Sequence, residues 1–258
     1  MLGPLIALAL AAAAPAPPVH LLHAGRLIDV KAGTVRTDQG ILVRGDRIEA
    51  VGPWADLSRR APADARRVDL SGATVLPGLI DAHTHLLLQG DITAADYDEQ
   101  LLKESIPYRI LRAAAGARTA LWNGFTTLRD LETEGAMYAD VDLKRAIANG
   151  VIPGPRLFVA TRAFSATGMY PLQGYSWELR VPEGVQVVDG PAEIRKGVRE
   201  QVRFGADWIK VYVDRKYYQG PDGRVRSWLN FTPEELRTFI EEAHRLGKPA
   251  AAHAIGWD

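Results

Sequence analysis

Four times along this chain a glycine follows a helix-like stretch and leads into a short apolar run. The pairs are Asn123-Gly124 before residues 125–130, Asn149-Gly150 before 156–161, Phe204-Gly205 before 208–213 and Leu246-Gly247 before 250–254. Glycine closes a helix by taking the left-handed conformation that other residues resist, and an apolar run directly after it reads as a buried strand. Repetition of that junction builds β/α units, whose strands lie parallel beneath their helices. The helix before the last junction is the clearest: Thr232 caps it, Pro233 takes its first position, and Glu235 completes a capping box. Leu236, Phe239, Ile240, Ala243 and Leu246 then fall on one face at helical spacing. Strands are expected to begin near residues 77, 125, 156, 207 and 249. The fold class is therefore α/β, an incomplete (β/α)8 TIM barrel with about five of its eight strands.

Residues 20–76 have a different grain. Apolar and polar residues alternate over short stretches, as in Ile41-Leu42-Val43-Arg44 and Arg47-Ile48-Glu49-Ala50-Val51, and Gly45-Asp46 between them reads as a hairpin turn. A small β-sandwich-like domain is expected there. The chain then divides into a leader over 1–19, the β domain over 20–76 and the barrel portion over 77–258.

Barrel enzymes gather their reactive side chains at the C-terminal ends of the strands, and three places in this chain fit that position. Asp81-Ala82-His83-Thr84-His85 runs straight out of Val75-Leu76-Pro77-Gly78-Leu79-Ile80, and strand alternation puts Asp81, His83 and His85 on one face. Paired neutral imidazoles on a buried strand are most often compensated by a divalent cation, with hydrogen-bonded or surface histidines as the alternative. Asp81 is then an outer group orienting the site or a plain strand-end hydrogen-bond acceptor. Lys210 sits mid-strand in an apolar run, where burial depresses the ammonium pKa. The neutral amine can act as a base, form a Schiff base or capture carbon dioxide; the alternative is a lysine that snorkels to the strand end or pairs with a distant carboxylate. His253 ends the small-residue strand Pro249-Ala250-Ala251-Ala252-His253, as a ligand or as a satisfied core histidine. With no cysteine in the chain, only nitrogen and oxygen donors are left for a metal. His244 reads as a solvent-side helix residue, and His20 and His23 carry no assigned chemistry.

The order His-x-His, lysine, histidine, each at the end of a separate strand, resembles the amidohydrolase superfamily of metal-dependent hydrolases, from about residue 20 to the last. Residues 75–85, Asn123-Gly124-Phe125-Thr126-Thr127-Leu128-Arg129-Asp130 and Gly154-Pro155-Arg156-Leu157 look most like the imidazolonepropionase-related branch, which includes secreted dipeptidases of the prolidase type. The resemblance implies two divalent cations, zinc, held by His83, His85, Lys210 and His253, with Lys210 carboxylated and bridging them. Lys210 and His253 are then the catalytic candidates. The implied reaction is hydrolysis of an amide or peptide bond, that of a dipeptide such as Xaa-Pro, by a hydroxide bridging the metals. The superfamily also uses a sixth-strand histidine and an eighth-strand aspartate, which these residues do not include, so the chain alone is not expected to hold the whole catalytic site. Two other readings stay open: a one-metal cyclic amidohydrolase of the imidazolonepropionase type, which needs no bridging lysine, and a metal-free barrel that binds or scaffolds.

Substrate contacts are expected from the loop after the third strand. Tyr170, Tyr175 and Trp177, with Arg162 at the strand end, suit an apolar side chain and a carboxylate; a surface loop packed by its own aromatics is the alternative. Tyr217 and Tyr218 admit the same pair of readings. Where prolidase-type relatives carry Ala-Tyr after the fifth-strand histidine, this chain has Ala254-Ile255.

Residues 5–14 form an apolar, alanine-rich run too short to span a bilayer, and Ala14-Pro15-Ala16 fits a small-x-small cleavage site, although Met1-Leu2-Gly3-Pro4 carries no basic residue. Secretion or export to the periplasm is the expectation. With 31 basic and 31 acidic residues the net charge is zero, which excludes the electrostatic footprint of a nucleic-acid or anionic-membrane binder. The expected partner is a small-molecule or dipeptide substrate, with no nucleic acid and no membrane span, and a homo-oligomer is considered for the full-length chain. From Pro77 onward the chain falls short of the roughly 250 residues of a complete barrel and stops one helix before a sixth strand, as a truncated reading frame would. Such an arc leaves an apolar inner face and a parallel edge unpaired, so poor solubility is expected of these residues in isolation.

Overall fold

The computed structural model describes residues 16–88 and 96–256. The apolar run at 5–14, read as a leader, lies outside them. The chain divides into two compact units, Met1–Pro77 and Gly78–Asp258.

The first unit holds β1 (Val19–Asp29), β2 (Thr34–Arg44), β3 (Arg47–Pro53), α1 (Trp54–Arg60) and β4 (Arg66–Val75). Its strands form one sheet in the order β3-β2-β1-β4, with β1 antiparallel to β2 and parallel to β4. A β unit is expected over 20–76, and among the described residues it is this single sheet, with a helix against its apolar face. Leu57 of α1 packs against Leu21 and Leu42 of the sheet, and Trp54 stacks on His23 with ring centroids 4.1 Å apart. Alternation in sequence reports that one face of a sheet is buried, but not what buries it.

The second unit opens with β5 (Leu79–Thr84), α2 (Asp96–Lys103), α3 (Ile106–Trp122), β6 (Phe125–Asp130), α4 (Ala139–Ala148), β7 (Arg156–Val159) and β8 (Phe164–Ser165). It continues through β9 (Gln186–Val187), α5 (Gly190–Phe204), β10 (Ile209–Tyr212), β11 (Asp214–Gln219), β12 (Val225–Leu229), α6 (Pro233–Arg245) and β13 (Ala250–His253). β5, β6 and β7 pair in parallel, and β8, β10 and β13 do the same. β7 is bonded to β6 and β8 to β10, with residues 160–163 between the two strands. The amides of Asp207 and Trp208 reach the Val159 carbonyl at 2.8 and 3.2 Å and join the two groups. β5, β6 and β7, and then β8, β10 and β13, follow one another in chain order, while the two-residue β9 pairs in parallel on the other side of β8.

The helices cover one side of this arc. Ile209 and Val211 of β10 pack among Ile194 and Val198 of α5 and Phe239 and Ala243 of α6. Alternation then turns Lys210 and Tyr212 to the opposite side. Gly205 closes α5 with φ at 111°, and the capping box of Thr232 and Glu235 opens α6. The hairpin of β11 and β12 escaped the sequence reading because it is largely exposed and polar, leaving no alternation to detect. No helix among the described residues is long and apolar enough to cross a membrane.

Candidate active site

The end of β5 presents two imidazoles. Asp81 accepts a hydrogen bond from the His83 amide at 2.9 Å, the plain strand-end role, and the rings of His83 and His85 meet edge to face at 5.2 Å. Parallel register places Tyr212 beside His253, with ring centroids 4.9 Å apart. The Lys210 ammonium lies 5.5 Å from the Tyr212 ring centre and is only 1% exposed. On the hairpin, the Tyr217 hydroxyl meets His253 Nε2 at 2.6 Å.

Burial governs the charge states. It pulls the Lys210 pKa down, against the attraction of Glu132. It pushes His83 down to about 4, helped by the charge of Lys210, and lowers His85 and His253 for the same first reason. The positive charge of Lys210 acts on all three rings, so His83, His85, Lys210 and His253 share one electrostatic neighbourhood. Neutral imidazoles keep a lone pair for a cation, and a set of nitrogen donors beside a buried amine fits a divalent metal.

Two further residues stand in this neighbourhood that sequence reasoning missed. Glu132 and Glu134, in the segment after β6, are 0% and 4% exposed. One ligating atom from each, together with one from His85, lies within 4.8 Å of the others. The Tyr212 hydroxyl donates to Glu132 Oε2 at 2.5 Å, and the hydroxyls of Tyr97 and Tyr170 donate to Glu134 Oε2 at 3.0 and 3.1 Å. Burial first, and Glu134 second, raise the Glu132 pKa well above the usual carboxylate range. Arg109 of α3 fixes this segment from behind, donating to the carbonyls of Leu87, Thr133 and Glu134 at 2.8, 3.0 and 2.8 Å. A signal was present: Asp130, Glu132 and Glu134 alternate at the C-terminal end of a strand, where barrel enzymes place their chemistry.

The substrate candidates separate. Tyr170 is brought to the carboxylates. Arg162 is turned elsewhere, donating to the Val185 carbonyl at 3.0 Å. Tyr175 donates to Asp98 at 2.9 Å, and Trp177 exposes 91% of its surface to solvent. Tyr218 packs on Trp228 with centroids 4.8 Å apart, while Tyr217 engages His253. Tyr97, Tyr170, Leu172, Arg215 and Lys216 line part of an open cleft of ≈ 290 Å³, with the Arg215 guanidinium 4.7 Å from the Tyr170 ring centre.

Comparison with known proteins follows the same lines. The amidohydrolase family matches residues 74–257, and a bacterial imidazolonepropionase-like composite domain matches residues 40–63. Ochratoxinase of Aspergillus niger is 31% identical over 261 residues, covering 92% of this chain and 50% of its own length. Imidazolonepropionase of Paracoccus denitrificans is 38% identical over 265 residues, covering 92% of this chain and 60% of its own. A solved Xaa-Pro dipeptidase with methionine bound in its active site superposes with a TM-score of 0.75 at 29% identity, over 92% of this chain and 57% of that one. The chain spans about half the length of the curated relatives it matches. Because the family match takes in every strand from β5 to β13 and all four residues of the imidazole and lysine cluster, this chain belongs to the amidohydrolase family.

Proposed function

We propose that the protein hydrolyses an amide or peptide bond, that of a dipeptide such as Xaa-Pro, at a divalent-metal centre held by His83, His85, Lys210 and His253. The observation that supports this reading is the burial of Lys210, on the side of β10 turned away from α5 and α6, where its charge bears on the lowered pKa values of His83, His85 and His253. A lysine so placed costs stability unless it is neutralised or paired, and a neutral amine is reactive. Its neutral amine adds to carbon dioxide, forming a nitrogen–carbon bond as a proton leaves, and the resulting carbamate offers two oxygens where an amine offered one nitrogen. A pair of zinc ions bound here supplies Lewis acidity and an active water nucleophile at neutral pH. Tyr217, through its hydroxyl on His253 Nε2, fixes the orientation of that ring. Tyr170 and Arg215 in the open cleft suit an apolar side chain and a carboxylate.

The succession of parallel strands fits the first five of a (β/α)8 barrel, with the β domain before it, and the run at 5–14 fits an export signal for a secreted or periplasmic enzyme. The test uses the full-length protein, stripped with a chelator and reloaded with zinc, against a panel of Xaa-Pro and other dipeptides. Hydrolysis that is lost on stripping, restored by zinc and abolished by Lys210→Ala supports the reading. Activity on a cyclic amide that survives Lys210→Ala replaces it with a one-metal cyclic amidohydrolase, and fewer than one equivalent of zinc bound after loading replaces it with a scaffold.

A further inference from the structure

We propose that Glu132 and Glu134 are metal ligands, forming with His85 a mixed oxygen and nitrogen site that adds two carboxylates to the cluster of imidazoles and lysine. The inference rests on the metal-dependent reading above and extends it to donors from the segment after β6.

Geometry comes first. A nitrogen of His85 and one oxygen from each carboxylate converge within 4.8 Å of one another, so a side-chain shift of under about 1 Å brings all three to the ligand distances of about 2 Å around a single ion. Glu132 Oε1 is buried and has no hydrogen-bond partner, although its twin Oε2 is held by Tyr212 at 2.5 Å. A buried carboxylate oxygen without a partner is rare, because the group has lost its water and gained nothing in return. The glutamates also lie side by side, so their charges repel unless a cation or a proton stands between them.

The surroundings are built to hold the carboxylates in place. Tyr212 engages one oxygen of Glu132 and leaves Oε1 free, while Tyr97 and Tyr170 donate to Glu134, Tyr170 reaching both of its oxygens; phenols that orient carboxylates in this way are seen behind metal ligands in general. Glu134 adopts φ of 48°, a conformation that a non-glycine residue keeps only when its neighbours enforce it. Arg109 supplies that enforcement by gripping the carbonyls of Thr133 and Glu134. Its guanidinium is spent on the backbone, so a proton, a bound ion or the nearby charge of Lys210 is left to offset the repulsion between the carboxylates. Nitrogen with two carboxylate oxygens suits zinc, manganese or cobalt(II) more than soft-ligand metals.

The test compares full-length wild type with Glu132→Gln, Glu132→Asp, Glu134→Gln and His85→Asn, each stripped and titrated with cobalt(II). Bound equivalents are read by elemental analysis, coordination by the visible cobalt spectrum, and stability by melting with and without the ion. Glu132→Gln and Glu134→Gln should each weaken cobalt binding at least tenfold and change the spectrum, with Glu132→Asp recovering part of both. Removing one of two crowded carboxylates should leave the melting temperature of the stripped protein unchanged or higher while shrinking its rise on adding cobalt. A merely structural role for Glu132 would lower the former and spare the latter. The inference is overturned if both glutamine variants bind cobalt with wild-type affinity and spectrum while His85→Asn does not, an outcome that leaves the hydrolase reading intact. Wild type that binds no cobalt or zinc overturns both.

Discussion

Tyr212 donates its hydroxyl proton to Glu132 Oε2 across 2.5 Å, and this one bond ties the end of β10 to the segment after β6. The same ring stands 4.9 Å from the centre of His253 and beneath the amine of Lys210. One side chain therefore touches the carboxylate, imidazole and lysine parts of the site. Hydrogen bonds to charged or buried acceptors are the costly ones to remove, since the acceptor is left desolvated and alone.

Tyr212→Phe keeps the ring and deletes the donor. It should destabilise the protein by about 1–3 kcal/mol, measured by urea denaturation. In a double-mutant cycle with Glu132→Gln the two changes should be non-additive by at least about 0.5 kcal/mol; strict additivity would mean that the bond contributes nothing.

Arg109 is 2% exposed and spreads three hydrogen bonds over two segments of chain. A lysine carries a point charge and cannot reproduce that planar fork. Arg109→Lys should leave at least one buried carbonyl unpaired and cost about 2–3 kcal/mol. Denaturation curves matching wild type within error would count against this account of the segment that carries Glu134.

Glu242 of α6 accepts from Arg199 of α5 at 2.7 Å and also from Arg245. The two guanidiniums hold its carboxyl down at about 2, below its ordinary 4.5. The folded state therefore binds this proton less readily than the unfolded state, so the contribution is present above pH 4.5 and is lost as pH falls towards 2. Both arginines are half in water, which reduces the contribution to about 1–2 kcal/mol. Glu242→Gln should be less stable by that amount at pH 7, and the gap should close when denaturation is repeated between pH 4.5 and 2.

Gly25 lies at the irregularity where β1 pairs with β4. A Cβ added there would stand 1.9 Å from the Ser71 carbonyl oxygen, a backbone atom that cannot rotate aside. Gly25→Ala should destabilise the first unit by about 1–3 kcal/mol. Faster amide exchange across β1 and β4 than in wild type, with α5 and α6 unchanged, would localise the effect.

Elements with strong local grammar can be read from the chain alone. Glycine after α3, α4, α5 and α6, the capping box at Thr232 and the apolar runs at β5, β6, β10 and β13 all describe interactions between residues close in the chain, which is why they were legible. Alternation also places Lys210 and Tyr212 on one face, because the side-chain period of a strand is fixed by its backbone. Spacing in the chain could name His83, His85, Lys210 and His253 as candidates but not measure their approach.

Tertiary structure decided the rest, where partners are far apart in sequence. Glu132 became part of the site through Tyr212, eighty residues away, and Glu134 through Tyr97 and Tyr170. Arg162 and Trp177 looked as suitable as Tyr170 in the sequence, and only the fold sent Arg162, between β7 and β8, to a carbonyl, and in the loop after β8 sent Trp177 to solvent and Tyr170 to the carboxylates. In the first unit the alternating pattern was satisfied by a helix, since burial of apolar surface is indifferent to the element that provides it. Local pattern fixes which groups must be buried or turned inward; the free energy of packing distant segments together selects which groups meet there.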